Sequence, residues 1–180
     1  TYTRLLSGKT NGSFDLAITA QTADSPGGNL SAVVTASMHV DINPVAATTG
    51  DDRLLYDGSA LNGLAGVDTI EFRLGENLDF SASPVKPTNI ERFDLMPAGQ
   101  NHSLGHLSVQ DVLDMTGSGK SLTILGDSGD SVSLKSTVGG TWSAGGSQTV
   151  DGHSFDIYLN TQDSSVRVLI EQQINKSIDP

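Results

Sequence analysis

Aspartate paired with glycine breaks this chain at short intervals, and that punctuation constrains the fold more than any other feature. Gly50-Asp51-Asp52, Asp57-Gly58, Gly66-Val67-Asp68, Gly126-Asp127-Ser128-Gly129-Asp130 and Asp151-Gly152 each set a short carboxylate beside a residue with no Cβ. Such pairs build tight turns, so long helices are disfavoured and many short strands are expected. The acids are unevenly chosen: of 21 acidic residues, 17 are Asp and four are Glu. Short carboxylates on Gly turns, with backbone carbonyls close by, are what a hard cation such as Ca²⁺ takes as ligands. A plain solubility role for the acidity remains open at this stage.

Charge and cysteine content remove whole classes of function. The net charge is −11, and the ten Lys and Arg residues are scattered. Nucleic acid as a partner is excluded, because phosphate binding needs a basic footprint. Anionic membranes are disfavoured for the same reason, unless calcium bridges the charges. The absence of cysteine rules out disulfides and thiolate metal sites, so bound metal can take the place of the usual staple of a secreted domain. No run approaches the roughly 20 apolar residues of a membrane span, so no membrane insertion is expected. No signal peptide is visible, and Thr1 suggests a segment of a longer chain that behaves as a monomer.

Hydrophobic periodicity divides the chain near residue 45. Phe14, Leu16, Ile18 and Ala20 alternate with polar neighbours, Asp24–Asn29 supplies a turn, and Leu30, Ala32, Val34, Ala36, Met38, Val40 and Ile42 alternate again. This predicts a hairpin, with a further strand at Tyr2–Leu6. Residues 1–45 read as strands of an immunoglobulin- or cadherin-like extender unit, or as the first strands of one larger sandwich. Asn43–Gly50 reads as a joint. From 46 to 180 short apolar runs separated by Gly and Asp predict a calcium-binding β domain. Strands are expected at Arg53–Tyr56, Thr69–Leu74, Asn89–Met96, Ser121–Leu125, Ser131–Leu134, His153–Leu159 and Ser165–Gln172. One helix is predicted at Ser108–Met115, capped by Ser108 with Asp111 at its third position. The expected class is all-β: an antiparallel β-sandwich-like domain with one short helix and Ca-binding Asp/Gly loops.

Gly63-Leu64-Ala65-Gly66-Val67-Asp68-Thr69-Ile70-Glu71 approximates the calcium nonapeptide G-G-x-G-x-D-x-U-x, with Leu64 in place of the second Gly. Gly50-Asp51-Asp52-Arg53-Leu54 carries half of it. The candidate metal ligands are therefore Asp51, Asp52, Asp68, Asp127 and Asp130, with Asp57 and Asp94 as lesser candidates. Asp127 and Asp130 can share an ion or simply bond the turn's own amides. Gly126–Ser131 also matches a protease Gly-Asp-Ser-Gly segment, but no His stands in a partner motif. Gly117-Ser118-Gly119-Lys120-Ser121 has Asp114 where a P-loop needs Gly. His102 and His106 lack an acidic companion of zincin type and read as loop residues. The single Trp142, flanked by glycines, reads as a core plug. No acid–base pair stands out, so no enzyme is expected.

The runs Val109–Thr116 and Leu122–Val132, with Asn89–Leu95 and Val150–Tyr158, resemble modules of giant type I-secreted repeats-in-toxin bacterial adhesins, over roughly residues 48–174. The resemblance implies a secreted, cell-surface location and calcium-dependent attachment through a peptide or glycan on another cell, beside neighbouring domains of the same long chain. A rigid spacer with no ligand of its own is the other role it allows. The degenerate repeat signature argues against a long parallel β-roll.

Overall fold

The computed structural model of the chain describes residues 12–20, 33–42, 47–73, 75–96 and 100–180. The chain forms two compact units, Thr1–Pro44 and Val45–Pro180. In the first, β1 (Gly12–Ala20) and β2 (Val34–Ile42) pair antiparallel, with Gly12 opposite Ile42 and Ala20 opposite Val34. The alternating apolar positions predict this pairing. The expected strand at Tyr2–Leu6, the turn at Asp24–Asn29 and the joint over 43–46 lie outside the described residues.

The second unit runs β3 (Arg53–Leu55), β4 (Thr69–Glu71), β5 (Asn77–Asp79), β6 (Arg92–Asp94), β7 (Ser103–Ser108), α1 (Val109–Thr116), β8 (Ser121–Leu125), β9 (Ser131–Lys135), β10 (Trp142–Val150), β11 (His153–Asn160), β12 (Arg167–Glu171) and β13 (Asn175–Asp179). It is mainly β-strand with one short α-helix. A first sheet has the order β10-β11-β12-β8-β6-β4-β3, and a second the order β13-β9-β7-β5. From β4 to β9 the chain passes back and forth, giving a strand to the first sheet and then one to the second; β10, β11 and β12 then join the first sheet before β13 joins the second.

Antiparallel pairing, expected throughout, is confined among the described residues of this unit to β10–β11, β11–β12 and an isolated bridge between Thr137 and Gly140. All other named pairs in the two sheets are parallel. The reason lies in the turns. Gly126–Asp130, the turn expected between two strands, carries the chain from β8 in one sheet to β9 in the other. This turn is a corner between sheets, and β9 pairs with β7 of the previous pass instead of with its own predecessor β8. The result is the winding of a short parallel β-solenoid.

Parallel stacking places like on like. Leu54, Ile70, Phe93, Ile124 and Ile170 stand side by side across five strands of the first sheet, all buried. Leu78, Leu104 and Val132 form the matching row of the second sheet, in the same core. Full burial of each such side chain is worth about 1.5–3 kcal/mol. Phe93 meets Phe80 edge-on at 6.4 Å between ring centroids and Phe72 at 6.0 Å. In the last pass Lys176 stands beside Val132, and its Nζ leaves the row to bond Asp156 and the Glu171 carbonyl.

Two insertions interrupt the winding. In α1, Ser108 and Asp111 form the capping box expected from their spacing, and Val109, Val112 and Met115 are buried. The β10–β11 hairpin turns on Asp151 and Gly152, both at positive φ as a two-residue primed turn requires. Trp142 is buried at its base and donates its Nε1–H to the Leu107 carbonyl at 3.2 Å, the plug role expected of it.

This core makes a contrast measurable. Phe93→Ala is expected to cost about 3–5 kcal/mol in urea unfolding, while Val138→Ala, at a fully exposed side chain, changes stability by less than about 0.5 kcal/mol. Similar losses for the two would contradict the shared core.

Candidate functional site

The residue before each first-sheet strand sits at a corner of the winding, where strand pairing no longer supplies partners for its amide. At the heads of β3, β4 and β6 these residues are Asp52, Asp68 and Glu91, in register with one another. The Asp52 amide donates to Asp68 Oδ1 at 2.9 Å, and the Asp68 amide donates to Glu91 Oε2 at 2.9 Å. Asp51 reaches the same corner, where its Oδ1 accepts from the Val67 amide at 2.8 Å. Asp68, Glu91 and Asp51 therefore each clamp the backbone of the neighbouring pass.

Both glycines of the nonapeptide-like turn serve this stacking. A Cβ at Gly63 would collide with the Asn89 carbonyl oxygen and the Asp68 carboxylate, and one at Gly66 would overlap the Gly50 carbonyl. Asp68 has no exposed surface, and its Oδ2 has no hydrogen-bond partner. An unpaired buried carboxylate oxygen is costly. Burial pushes the Glu91 carboxyl above its ordinary range, and the charges of Asp68 and Asp51 add to the effect. The corner thus gathers negative charge against the preference of its surroundings.

The second predicted cluster is built differently. Asp130 is fully buried, and its Oδ1 accepts from the His102 amide at 2.9 Å while its Oδ2 accepts from the Asp127 amide at 2.8 Å. Both oxygens are satisfied by backbone donors. Burial raises its pKa, and the two amides oppose the rise. Asp127 bonds the Gly129 amide of its own turn. Across the same corner, the Gly126 amide donates to Glu171 Oε2 at 3.0 Å, while Glu171 Oε1 faces His153 Nδ1 at 2.8 Å.

The structure therefore brings Asp51, Asp52 and Asp68 to one corner and Asp127 and Asp130 to another. Asp57 stands apart, bonded to the Ser59 amide. Asp94 also stands apart, paired with Arg53 and the Met96 amide. Arg53 also binds Glu71, as does Arg73. His102 lies in the loop just before β7, as expected, but is buried between Phe72 and the Glu76 carbonyl, whereas His106 lies within β7 and is not the loop residue expected. Among the described residues no three His, Asp or Glu side chains form a ready metal-ligand group. Again among the described residues, no helix is long and apolar enough to cross a membrane. Glu91 and Glu171 are the corner residues missed from sequence. Glu91-Arg92-Phe93-Asp94 repeats the acid-x-apolar-acid pattern of Asp68-Thr69-Ile70-Glu71, a signal that a search for Gly-x-Asp passes over.

No protein-family model, curated protein or solved structure matches the chain.

Two tests follow from this bonding. Asp130→Ala leaves two buried amides without acceptors, at about 1–3 kcal/mol each, so a loss of about 2–5 kcal/mol is expected in chemical unfolding. A loss under about 0.5 kcal/mol would show that the clamp is not needed. The exposed Asp163 is held at about 2 by the Ser165 hydroxyl, Lys120 and the Ser165 amide. A lowered folded pKa adds stability that is complete above the ordinary value of 3.8 and lost as pH falls towards 2. Melting curves of Asp163→Asn and the parent should therefore converge between pH 4 and pH 2; a constant gap would contradict the assignment.

Proposed function

We propose that the chain is a calcium-dependent ligand-binding module of a secreted bacterial surface adhesin, with a binding and not a catalytic role. The observation that carries this reading is the Asp68 corner. There a buried carboxylate oxygen lacks a partner, a second, half-buried acid is pushed towards its neutral form, and a third carboxylate adds charge. Asp68, Asp51 and Glu91 do not form a ready ligand group as they stand; with the Asn89 carbonyl they are the oxygen donors that would have to close on a calcium ion, which takes oxygen ligands of these kinds. When bound, the ion supplies compensating charge and fastens one pass of the winding to the next. Asp52 takes part through its amide, and its carboxylate caps Thr48. Asp57, Asp94, Asp127 and Asp130 serve as turn and corner acceptors, which narrows the ligand set from the seven acids proposed by the sequence. The likeness of residues 48–174 to adhesin modules supports the extracellular setting and a peptide or glycan on another cell as partner.

A second reading, a stiff spacer without its own ligand, is favoured by one observation. Among the described residues of the second unit every Phe, Tyr and Trp side chain is at least half-buried, so no exposed aromatic platform marks a binding groove there.

Calcium at 100 times its Kd should stabilise the fold by about 2.7 kcal/mol, and Asp68→Asn should remove most of that gain. Identical melting curves in EDTA and in millimolar calcium would contradict the calcium reading. Binding to peptide or glycan arrays in calcium, lost in EDTA, separates the module from the spacer.

A further inference from the structure

The outer face of the second sheet differs from the rest of the solenoid surface. Asn77, Ser103, Ser131 and Asn175 stand in one row across its four strands, and Ser133 and Ser177 stand side by side in the next. A depression of about 300 Å³ opens over Ser103, Gly105, Ser131, Ser133, Asn175 and Ser177. That volume lies at the small end of the range for small-molecule sites, about 300–1,000 Å³. Short hydroxyl and amide side chains line it together with Leu104, Val132 and Lys176; Ser103 already donates to Asn77, and Asn175 to the Ser128 and Asp130 carbonyls, which leaves their oxygens as acceptors. The charged head of Lys176 is drawn away to Asp156 and to the Glu171 and Gln172 carbonyls.

The edge of this depression is built by a β-bulge. The register of β7 against β9 shifts between Leu104 and Leu107, and His106 occupies the bulge at φ 56°. Bulges re-aim side chains. Here the His106 amide donates to Ser133 Oγ at 2.8 Å, and its ring is held by Asp79, with Nδ1 2.8 Å from Oδ1. Its Nε2 lies 4.0 Å from Asp179 Oδ2 on β13. The half-exposed ring and two carboxylates thus border a floor of uncharged donors and acceptors.

We infer that this face binds a neutral sugar, a proposal that rests on the ligand-recognition reading above and names its ligand class. Groups that both donate and accept are best matched by a ligand that does the same, and the hydroxyls of a neutral sugar do so. The bordering carboxylates accept sugar hydroxyls through strong charge-assisted bonds. An anion would face Asp79 and Asp179 on a chain of net charge −11. An apolar ligand would strip water from the serines and leave their hydroxyls unpaired. A peptide added as a strand pairs in the plane of a sheet, at the free edges of β13 and β5, and not on the face over which the depression opens.

The test uses the whole chain on a glycan array and a peptide array in calcium, followed by titration calorimetry with the best neutral oligosaccharide. Ser131→Trp and Ser177→Trp each fill the depression from an exposed position, and Val138→Trp serves as a remote control. Melting temperatures report folding of each variant. The expected result is that the parent and Val138→Trp bind, while each filling variant that melts like the parent loses at least about ten-fold in affinity, or about 1.4 kcal/mol. Sugar binding unchanged in the folded filling variants would place the ligand elsewhere and overturn the proposal. Binding to peptides alone would overturn the sugar assignment and leave the adhesin reading standing. Silence on both arrays would overturn both.

Discussion

Parallel winding creates a problem that strand pairing does not solve. At each corner the chain leaves one sheet for the other, and the corner amides lose their ladder partners just where they become buried. An orphaned buried amide costs about 1–3 kcal/mol, so several unanswered corners would consume the marginal stability of a small domain. The chain answers with carboxylates from the neighbouring pass. Asp68 takes the Asp52 amide, Glu91 the Asp68 amide, Asp130 the His102 amide and Glu171 the Gly126 amide. An acceptor-only side chain suits this task, and Lys or Arg cannot perform it. The apolar rows of both sheets depend on these clamps, because the clamps hold the passes in register.

The same device carries an electrostatic cost that differs between corners. Asp130 spends both oxygens on amides, so its negative charge is answered by two backbone dipoles. At the other corner Asp68 spends only one oxygen, with Glu91 and Asp51 close by. That imbalance makes the Asp51–Asp68–Glu91 corner the place where a hard cation would bring most relief. Metal at this corner and recognition on the outer face of the second sheet are separate demands, met by different residues of one winding. The corners need short acids between passes, while the outer face is free to carry serines and asparagines at sheet spacing.

Much of the local structure was legible because it depends on near neighbours. Ser108 and Asp111 announce the start of α1, and the alternation of Phe155, Ile157 and Leu159 marks β11, whereas β10, rich in Gly and Ser, was not foreseen. The parallel arrangement was not legible, because no fixed period separates the passes. The clamped pairs lie 16 residues apart for Asp52 and Asp68, 23 for Asp68 and Glu91, 28 for His102 and Asp130, and 45 for Gly126 and Glu171. The insertion of α1 and of the β10–β11 hairpin stretches the later passes, and the Gly126–Asp130 turn between strands is a corner. The acid-rich turns were recognised as special, but a search for metal ligands did not foresee that most would clamp backbone amides. Asp57 and Asp94 show the limit plainly: their neighbours look like ligand loops, and their partners are a turn amide and Arg53.

Residue-resolved hydrogen exchange in calcium-free buffer tests the clamps most directly. The amides of Asp52, Asp68, His102 and Gly126 all lie outside the named strands, where loop amides ordinarily exchange fast. Clamped by carboxylates of the next pass, they should exchange as slowly as the amides of Ile124 and Val168 in the strands themselves. Exchange of all four at the rate of Ser128 or Gly139, in exposed turns, would contradict the account.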